Sequence, residues 1–158
     1  HRDIKLENIM IDQHNSLRLI DFNLSRVVPT QAPPAAVFGA AQSTDWAGSR
    51  SYRAPEVIAG AAHDMFKADV WSLGVVLFTM VTGFFFVDVA TVADPRFRRA
   101  QMAQQNGLST VQALYAMYNL PNPLSADLVT LLDGMLAIDA GARLSLDEVC
   151  SSQWMSHV

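Results

Sequence analysis

The chain has 158 residues, of which 51% are apolar and 16% are charged, and its formal net charge is −4 at pH 7. This length predicts one domain with a buried core, and the acidic balance excludes a strongly basic surface for nucleic acid or for an anionic membrane. The single cysteine, Cys150, excludes an internal disulfide and predicts a location in the cytoplasm or another reducing intracellular compartment. We expect Cys150 to lie buried in a helix as a small apolar side chain. His14, His63 and His157 lack the spacing of metal ligands and are predicted on the surface or in loops.

The first eight residues, HRDIKLEN, concentrate charged and polar side chains. They place the carboxylate of Asp3, the ammonium of Lys5 and the carboxamide of Asn8 in one tight loop, and a second carboxylate, Asp21, follows thirteen residues after Asn8. A base, a cation and two oxygen ligands are the groups needed to move a phosphoryl group between oxygens. Taken alone, the octet is also compatible with a polar turn that precedes a strand.

Two short apolar segments follow the octet, at residues 9–11 and 17–20, and the polar turn 13–16 separates them. This pattern predicts a β-hairpin. The hairpin would hold Asn8 at one end and Asp21 at the other, so that two oxygen ligands far apart in sequence can face the same ion.

A loop and then six helices are predicted over the rest of the chain. Residues 28–47 are rich in Pro, Ala, Gln, Ser and Thr, which is typical of a loop. Gly60, Gly83 and Gly107 mark helix ends. Serine N-caps mark two helix starts, one of them in the Ser-x-x-Glu spacing of a capping box. The predicted helices cover residues 55–59, 67–82, 95–105, 109–118, 125–138 and 145–155.

Residues 70–87 carry no charge over eighteen positions, which is the lower limit for a membrane-spanning helix. Gly74 and Gly83 interrupt this stretch, and Asp69 and Asp88 bound it without a flanking belt of Lys or Arg. We therefore expect a central core helix that is apolar on every face, and no membrane association. A membrane protein anchored by residues 70–87 is the alternative.

Four further motifs stand in order after the octet. They are Asp21-Phe22, Ala54-Pro55-Glu56, Asp69-Val70-Trp71-Ser72-Leu73-Gly74, and Arg143. With HRDIKLEN, this ordered set resembles the eukaryotic protein kinase family, Ser/Thr type. The resemblance implies the C-terminal lobe of the kinase α+β fold, mainly α with a small β-hairpin. It divides the chain into a catalytic loop (1–8), a metal loop (21–23), an activation segment (21–56) and a helical subdomain (57–158).

The resemblance also implies a chemical role for the polar residues of the site. Asp3 would orient the acceptor hydroxyl and take its proton, and Lys5 would neutralise charge on the γ-phosphate of ATP. Asn8 and Asp21 match the two ligands of Mg²⁺, which is bound together with ATP. Ser49 matches the position that contacts the Asp–Lys pair in Ser/Thr kinases, and it implies a protein substrate with a Ser or Thr acceptor.

Regulatory and structural roles follow from the same resemblance. Arg2 matches an arginine that grips a phosphate on the activation loop, since a guanidinium binds such oxygens bidentately. Asp45 lies where related kinases carry a phosphorylated Thr, so it is a candidate permanent partner of Arg2. The alternatives are phosphorylation of Ser43 or Thr44, or a solvated loop carboxylate at position 45. The resemblance gives structural roles to Glu56, Asp69 and Arg143. Glu56 and Arg143 match a buried ion pair of the family.

The metal loop departs from the family pattern, because Asn23 stands where the family has Gly after Asp-Phe. Gly serves positions with positive φ, and Asn tolerates that region next best. We therefore expect a left-handed backbone at Asn23 and expect Asn23→Gly to preserve or raise activity. The alternative is that Asn23 is a product of neutral drift in a weakly active homologue.

Several kinase landmarks are missing from the sequence: a Gly-x-Gly-x-x-Gly loop, a strand Lys for the α- and β-phosphates, and a helix Glu to pair with that Lys. We therefore expect the N-terminal lobe to be absent, the central helix to be incompletely covered, and the isolated chain to be inactive. The segment 52–57 and the Trp-Ser-Leu-Gly run resemble the calcium/calmodulin-dependent and AMP-activated kinase group. The alternative function is a catalytically inactive kinase-like fragment that binds a protein partner. The oligomeric state is not indicated by any pattern.

Overall fold

The computed structural model describes residues 1–28 and 41–157, and of His157 the backbone only. Most of the loop predicted over residues 28–47 lies outside the described residues. Within them the protein is mostly helical, with two small antiparallel sheets. This agrees with the predicted mainly α fold with a β-hairpin, and it adds a second sheet that the sequence patterns did not indicate.

The predicted β-hairpin is confirmed. Strand β1 (Ile9–Ile11) pairs with β2 (Leu17–Leu19), with Ile9 opposite Leu19. The Asp12 side chain accepts hydrogen bonds from the turn amides at 14 and 16, which stabilises the tight reversal. At the open end of the hairpin, the Ile20 amide donates to the Asn8 carbonyl at 2.9 Å. The hairpin therefore joins the backbone of the catalytic loop to the residues that precede Asp21.

A second antiparallel sheet pairs β3 (Gln42–Ser43) with β4 (His63–Asp64). Each strand has only two residues, too few for an alternating pattern to be visible in the sequence. The prediction that His63 lies on the surface is wrong, because the pairing with β3 leaves its side chain only 5% exposed. His14 is exposed, as predicted.

Helices α1 (Pro55–Ile58) and α2 (Met65–Thr82) follow. The second begins two residues earlier than predicted because the Asp64 side chain caps the amides of Phe66 and Lys67. It ends at Gly83, which adopts the left-handed backbone (φ 78°) typical of a helix C-cap.

Helix α2 forms the centre of the hydrophobic core. Trp71, Val75 and Phe78 are fully buried in it, and the edges of Phe84 and Phe86 pack against the Phe78 ring. Helix α2 is long and apolar enough to cross a membrane, and 44% of this span is buried inside the protein. A buried core helix can have the same length and composition, and Trp71, Val75 and Phe78 of this helix pack into the hydrophobic core.

Four more helices complete the described chain. Their bounds are Pro95–Gln105 (α3), Thr110–Met117 (α4), Ala126–Met135 (α5) and Leu146–Cys150 (α6). The last two are shorter than predicted: α5 ends before 138 and α6 ends before 155. The predicted capping box is confirmed, since Ser145 and Glu148 bond each other's backbone amides. Cys150 is exposed rather than buried, because Val149 is the α6 residue that enters the core.

Candidate active site

The catalytic loop and the activation segment meet at the carboxylate of Asp3. The Lys5 ammonium lies 3.0 Å from its Oδ2, and the Ser49 amide donates to its Oδ1 at 2.7 Å. The Lys5 ammonium also donates to the Ser49 hydroxyl at 2.9 Å. The structure therefore brings the two predicted catalytic residues and the predicted substrate-docking residue into one hydrogen-bonded triangle.

This geometry sets the charge state of Asp3 and Lys5. Burial raises the pKa of the Asp3 carboxyl, but the hydrogen bonds from Lys5 and Ser49 together outweigh it and hold that pKa below its usual value. The hydrogen bond with Asp3 raises the pKa of the Lys5 ammonium, and burial opposes this only in part. The pair is therefore ionised at neutral pH, with a carboxylate that accepts and an ammonium that donates.

Gly48 allows the activation segment to approach the catalytic loop this closely. Its φ is +91°, and a Cβ at this position would lie 2.7 Å from the Arg2 carbonyl oxygen. Only glycine adopts this backbone without strain and leaves room for that carbonyl. Gly48 was not singled out for this reason in the sequence, because the requirement comes from a segment more than forty residues away.

Asn8 is buried directly beside Asp3. Its amide nitrogen donates to the Asp3 carbonyl at 2.9 Å and lies 3.4 Å from the Asp3 Oδ2. The Nδ2 of Asn8 is thus used by Asp3, and the amide oxygen is the remaining polar atom of this side chain. Among the described residues no hydrogen bond uses that oxygen, which leaves it free to bind a cation.

Asp21 follows β2 with a left-handed backbone (φ 62°, ψ 67°) and an exposed side chain. A non-glycine residue in this region is strained, and such strain is found at functional sites. Its negative charge contributes to raising the pKa of Lys5, after the larger contribution of Asp3. The next ring, Phe22, packs edge-on against His1 at 4.7 Å between centroids.

The donor set fits Mg²⁺, although the described residues contain no group of three His, Cys, Asp or Glu side chains. Magnesium takes oxygen ligands and usually keeps several waters, with one or two carboxylates and substrate phosphates. An amide oxygen from Asn8 and a carboxylate from Asp21 are of this type.

The expected left-handed backbone at Asn23 is wrong. Residues 22–24 form a turn of 3₁₀ helix, and the left-handed residue of this loop is Asp21. The premise that glycine would relieve strain at position 23 therefore fails, because the strained position lies two residues earlier.

Asn23→Gly is consequently expected to lower the free energy of unfolding by up to about 1 kcal/mol, through backbone entropy, and to give no gain in kcat. Urea titration of the variant and a magnesium-dependent kinase assay would measure the two quantities. Asn15→Gly is the matched control, since Asn15 has a φ of 58° and glycine fits that backbone without cost. Greater stabilisation by Asn23→Gly than by Asn15→Gly would contradict the expectation.

Arg2 and Asp45 lie together, which is one of the alternatives left open by the sequence, at 3.0 Å between guanidinium and carboxylate. A second guanidinium, from Arg26, lies 2.6 Å from the same oxygen. The charge of Arg26, together with the hydrogen bond from Arg2, holds the pKa of the Asp45 carboxyl below its usual value. Arg26 was missed in the sequence, since it belongs to no motif and reaches Asp45 only through the tertiary fold.

The two candidate phosphorylation sites next to Asp45 differ in access. Ser43 is 6% exposed, and its hydroxyl accepts a hydrogen bond from the Asp45 amide at 3.1 Å. Thr44 is exposed. A modifying enzyme can therefore reach Thr44 and not Ser43.

The predicted structural residues form two supports under the site. Asp69 on α2 accepts hydrogen bonds from the backbone nitrogens of His1 and Arg2 at 2.7 and 2.8 Å. This holds the catalytic loop where Arg2 has a strained φ of 72°.

The second support is the ion pair between Glu56 on α1 and Arg143. Arg143 donates to both carboxylate oxygens, at 2.6 and 2.9 Å, and its side chain is fully buried. It also donates to the carbonyls of Ala137 and Lys67 and lies over the Trp71 ring. The pair therefore ties the end of the activation segment to the helical core.

A family model for the protein kinase domain matches residues 1–155. The chain belongs to the protein kinase family. The family generally uses ATP and Mg²⁺ and acts on protein substrates.

Curated relatives that align with 155 residues of the chain carry the names of protein kinases. The chain is 32% identical to a Danio rerio protein named serine/threonine-protein kinase SIK3 homolog, covering 98% of the chain and 11% of that protein. It is 31% identical to CBL-interacting protein kinase 19 of Oryza sativa, over 98% of the chain and 26% of the relative. It is 30% identical to serine/threonine-protein kinase kin-29 of Caenorhabditis briggsae, over 98% of the chain and 16% of that relative. The chain thus spans from 11% to 26% of the length of these relatives.

Proposed function

We propose that this protein transfers the γ-phosphate of ATP to Ser or Thr hydroxyls of protein substrates, and that residues 1–158 are the C-terminal lobe of its kinase domain. The observation that carries the proposal is the triangle of Asp3, Lys5 and Ser49, with the Asn8 amide packed against it. It combines a proton acceptor, a fixed cation and a free amide oxygen within one catalytic loop. The Ser/Thr kinase names of the relatives support the same proposal.

Asp3 is suited to orient an acceptor hydroxyl. Its lowered pKa keeps it ionised at neutral pH, but it also makes Asp3 a weak base. The carboxylate therefore positions the hydroxyl by a hydrogen bond first. It takes the proton late, after the forming bond to phosphorus has made that hydroxyl more acidic.

Lys5 and Ser49 set the position of the phosphate and the substrate. The Lys5 ammonium is anchored by Asp3 and Ser49, so it can stabilise charge on the transferring group without first reorganising. Ser49 belongs to the activation segment, and its link to Lys5 couples that segment to the catalytic loop. Asn8 and Asp21 would hold Mg²⁺ through an amide oxygen and a carboxylate, and the ion supplies charge neutralisation for the phosphates.

The proposal is tested with the purified full-length protein and ATP labelled at the γ-phosphate. Transfer of label to a mixed protein substrate, followed by acid hydrolysis, would give phosphoserine and phosphothreonine. Label in phosphotyrosine, or transfer that survives removal of Mg²⁺ by a chelator, would contradict it.

We also propose that Asp45 takes the place of an activating phosphate. It lies between the guanidinium groups of Arg2 and Arg26, so its charge links the activation segment to the catalytic loop without modification. The linked state is favoured above the usual pKa of a carboxyl and is lost as the pH falls through the lowered pKa of Asp45.

Asp45→Ala is therefore expected to lower kinase activity by about fivefold, because the charge that pairs with Arg2 and Arg26 is lost. Thr44→Ala and phosphatase treatment should leave the activity unchanged, and both are measured in the same peptide assay. Full activity of Asp45→Ala with loss of activity in Thr44→Ala would assign the control to phosphorylation of Thr44 instead.

The remaining expectations stand as proposals. A place in the calcium/calmodulin-dependent or AMP-activated group rests on the motifs at residues 52–57 and 71–74. A reducing intracellular location rests on the single cysteine.

A further inference from the structure

An open groove lies between helices α3 and α4, and none of its lining residues belongs to the candidate active site. Its volume is about 290 Å³, and it is lined by five residues: Pro95, Arg98, Arg99, Met102 and Met117. Helix α3 turns Phe97, Ala100 and Ala103 into the core. The lining residues of α3 therefore lie on its outer side.

The floor of the groove is apolar and uncovered. The side chains of Met102 and Met117 are 52% and 40% exposed, and Tyr118, next to Met117, is 45% exposed. Methionine is flexible and polarizable, so a methionine-lined groove adapts to different apolar side chains. Methionine and arginine are also the residue types enriched in protein–protein interfaces.

The rim of the groove is positively charged within an acidic protein. Residues 95–118 contain three arginines and no Asp or Glu, whereas the chain as a whole has a net charge of −4. Arg96 is neutralised by Asp88 and Asp94. Among the described residues, Arg98 and Arg99 form no salt bridge, and Arg99 donates only to the Ala113 carbonyl, at 3.4 Å.

We propose that this groove docks an acidic segment of a partner protein. An apolar side chain of the partner lies between Met102 and Met117, and its carboxylates pair with Arg98 and Arg99. Charge complementarity selects such a partner, because two guanidinium groups that pair with no carboxylate among the described residues stand beside an apolar floor, in a protein whose net charge is −4. Nucleic acids and anionic membranes are bound through many cations at once, and the groove offers two.

The proposal does not rest on the proposed kinase function, and its test measures binding alone. The probe is a short fluorescein-labelled peptide of Leu, Glu and Ala, with Leu at positions i and i+4 and Glu beside them. Fluorescence anisotropy with the purified full-length protein gives Kd. Hydrogen exchange of the complex should show protection confined to α3 and α4. The same peptide with Gln in place of Glu should bind more weakly.

Two variants separate the charged rim from the apolar floor. Arg98→Gln should weaken binding by about fivefold, as for one exposed ion pair. Met102→Gln should weaken it by about tenfold, through lost apolar contact. Gln112→Glu is the matched control: it changes the net charge as Arg98→Gln does, but Gln112 is exposed outside the groove, so Kd should not change. Thermal melting of the variants checks that folding is kept.

Four results would overturn the proposal. They are absence of peptide binding, equal Kd for the wild type, Arg98→Gln and Met102→Gln, equal binding of the Gln peptide, and tighter binding of a DNA oligonucleotide or of phosphatidylserine vesicles at the same groove. Because Arg98 and Met102 lie outside the candidate active site, kinase activity on a general substrate should be the same in both variants. A protein without kinase activity that still binds the peptide through α3 and α4 would refute the proposed function and leave the docking groove standing.

Discussion

Asp3→Asn is expected to lower kcat by about 100-fold or more, while the affinity for nucleotide changes little. The carboxylate is the group that orients the acceptor hydroxyl and takes its proton, and Asn keeps its size but accepts no proton. The Ser49 amide would still have an oxygen to bond, whereas the ion pair with Lys5 would be lost. Steady-state kinetics with labelled ATP and a peptide substrate would measure kcat, and titration calorimetry would measure nucleotide binding.

Asp147→Asn is the matched control for this variant. It makes the same chemical change at an exposed position of α6, so both kcat and the melting temperature should stay at the wild-type values. An unchanged kcat in Asp3→Asn would remove the assignment of Asp3 as the proton acceptor. A large fall in melting temperature for Asp3→Asn would instead point to a structural role, and for this reason the melting curve is recorded beside the kinetics.

Arg143→Met is expected to lower the free energy of unfolding by about 3–5 kcal/mol. The side chain of Arg143 is fully buried, and that of Glu56 is only 14% exposed. Removing the guanidinium therefore leaves a largely desolvated carboxylate and the carbonyls of Ala137 and Lys67 without their donor. Since a domain of this kind is stable by only about 5–15 kcal/mol, the loss is a large part of the total.

Arg18→Met is the control for the ion pair. Arg18 bonds Asp12 at 2.8 Å, but its side chain is 65% exposed, so the loss in the free energy of unfolding should be far smaller than for Arg143→Met. The double variant Glu56→Met/Arg143→Met should be more stable than Arg143→Met alone, because no unpaired charge stays buried. Urea unfolding of Arg143→Met, Arg18→Met and the double variant measures these differences in the free energy of unfolding. Equal losses for Arg143→Met and Arg18→Met would show that burial does not strengthen this pair.

Local sequence patterns determined the elements whose stabilising contacts are also local. The hairpin at residues 9–19 was predicted because apolar segments and a polar turn alternate within a dozen positions. The α6 helix was marked at its start by its capping box, since Ser145 and Glu148 bond groups three residues apart. The catalytic loop was recognisable because Asp3, Lys5 and Asn8 are close in sequence. In each case the interacting partners lie within the window that a motif covers.

The tertiary structure alone decided the features that depend on distant partners. The β3–β4 pairing buries His63. Strands of two residues are too short to show an alternating pattern, so the sequence does not predict this burial. Arg26 joins Arg2 on Asp45 only because two loops converge, and Gly48 is required by a carbonyl of the catalytic loop. The strained residue of the metal loop is Asp21 rather than Asn23, and Asp21 directly follows Ile20, whose amide bonds the Asn8 carbonyl of the catalytic loop. Local sequence specifies which groups are present, whereas long-range packing selects which of them meet.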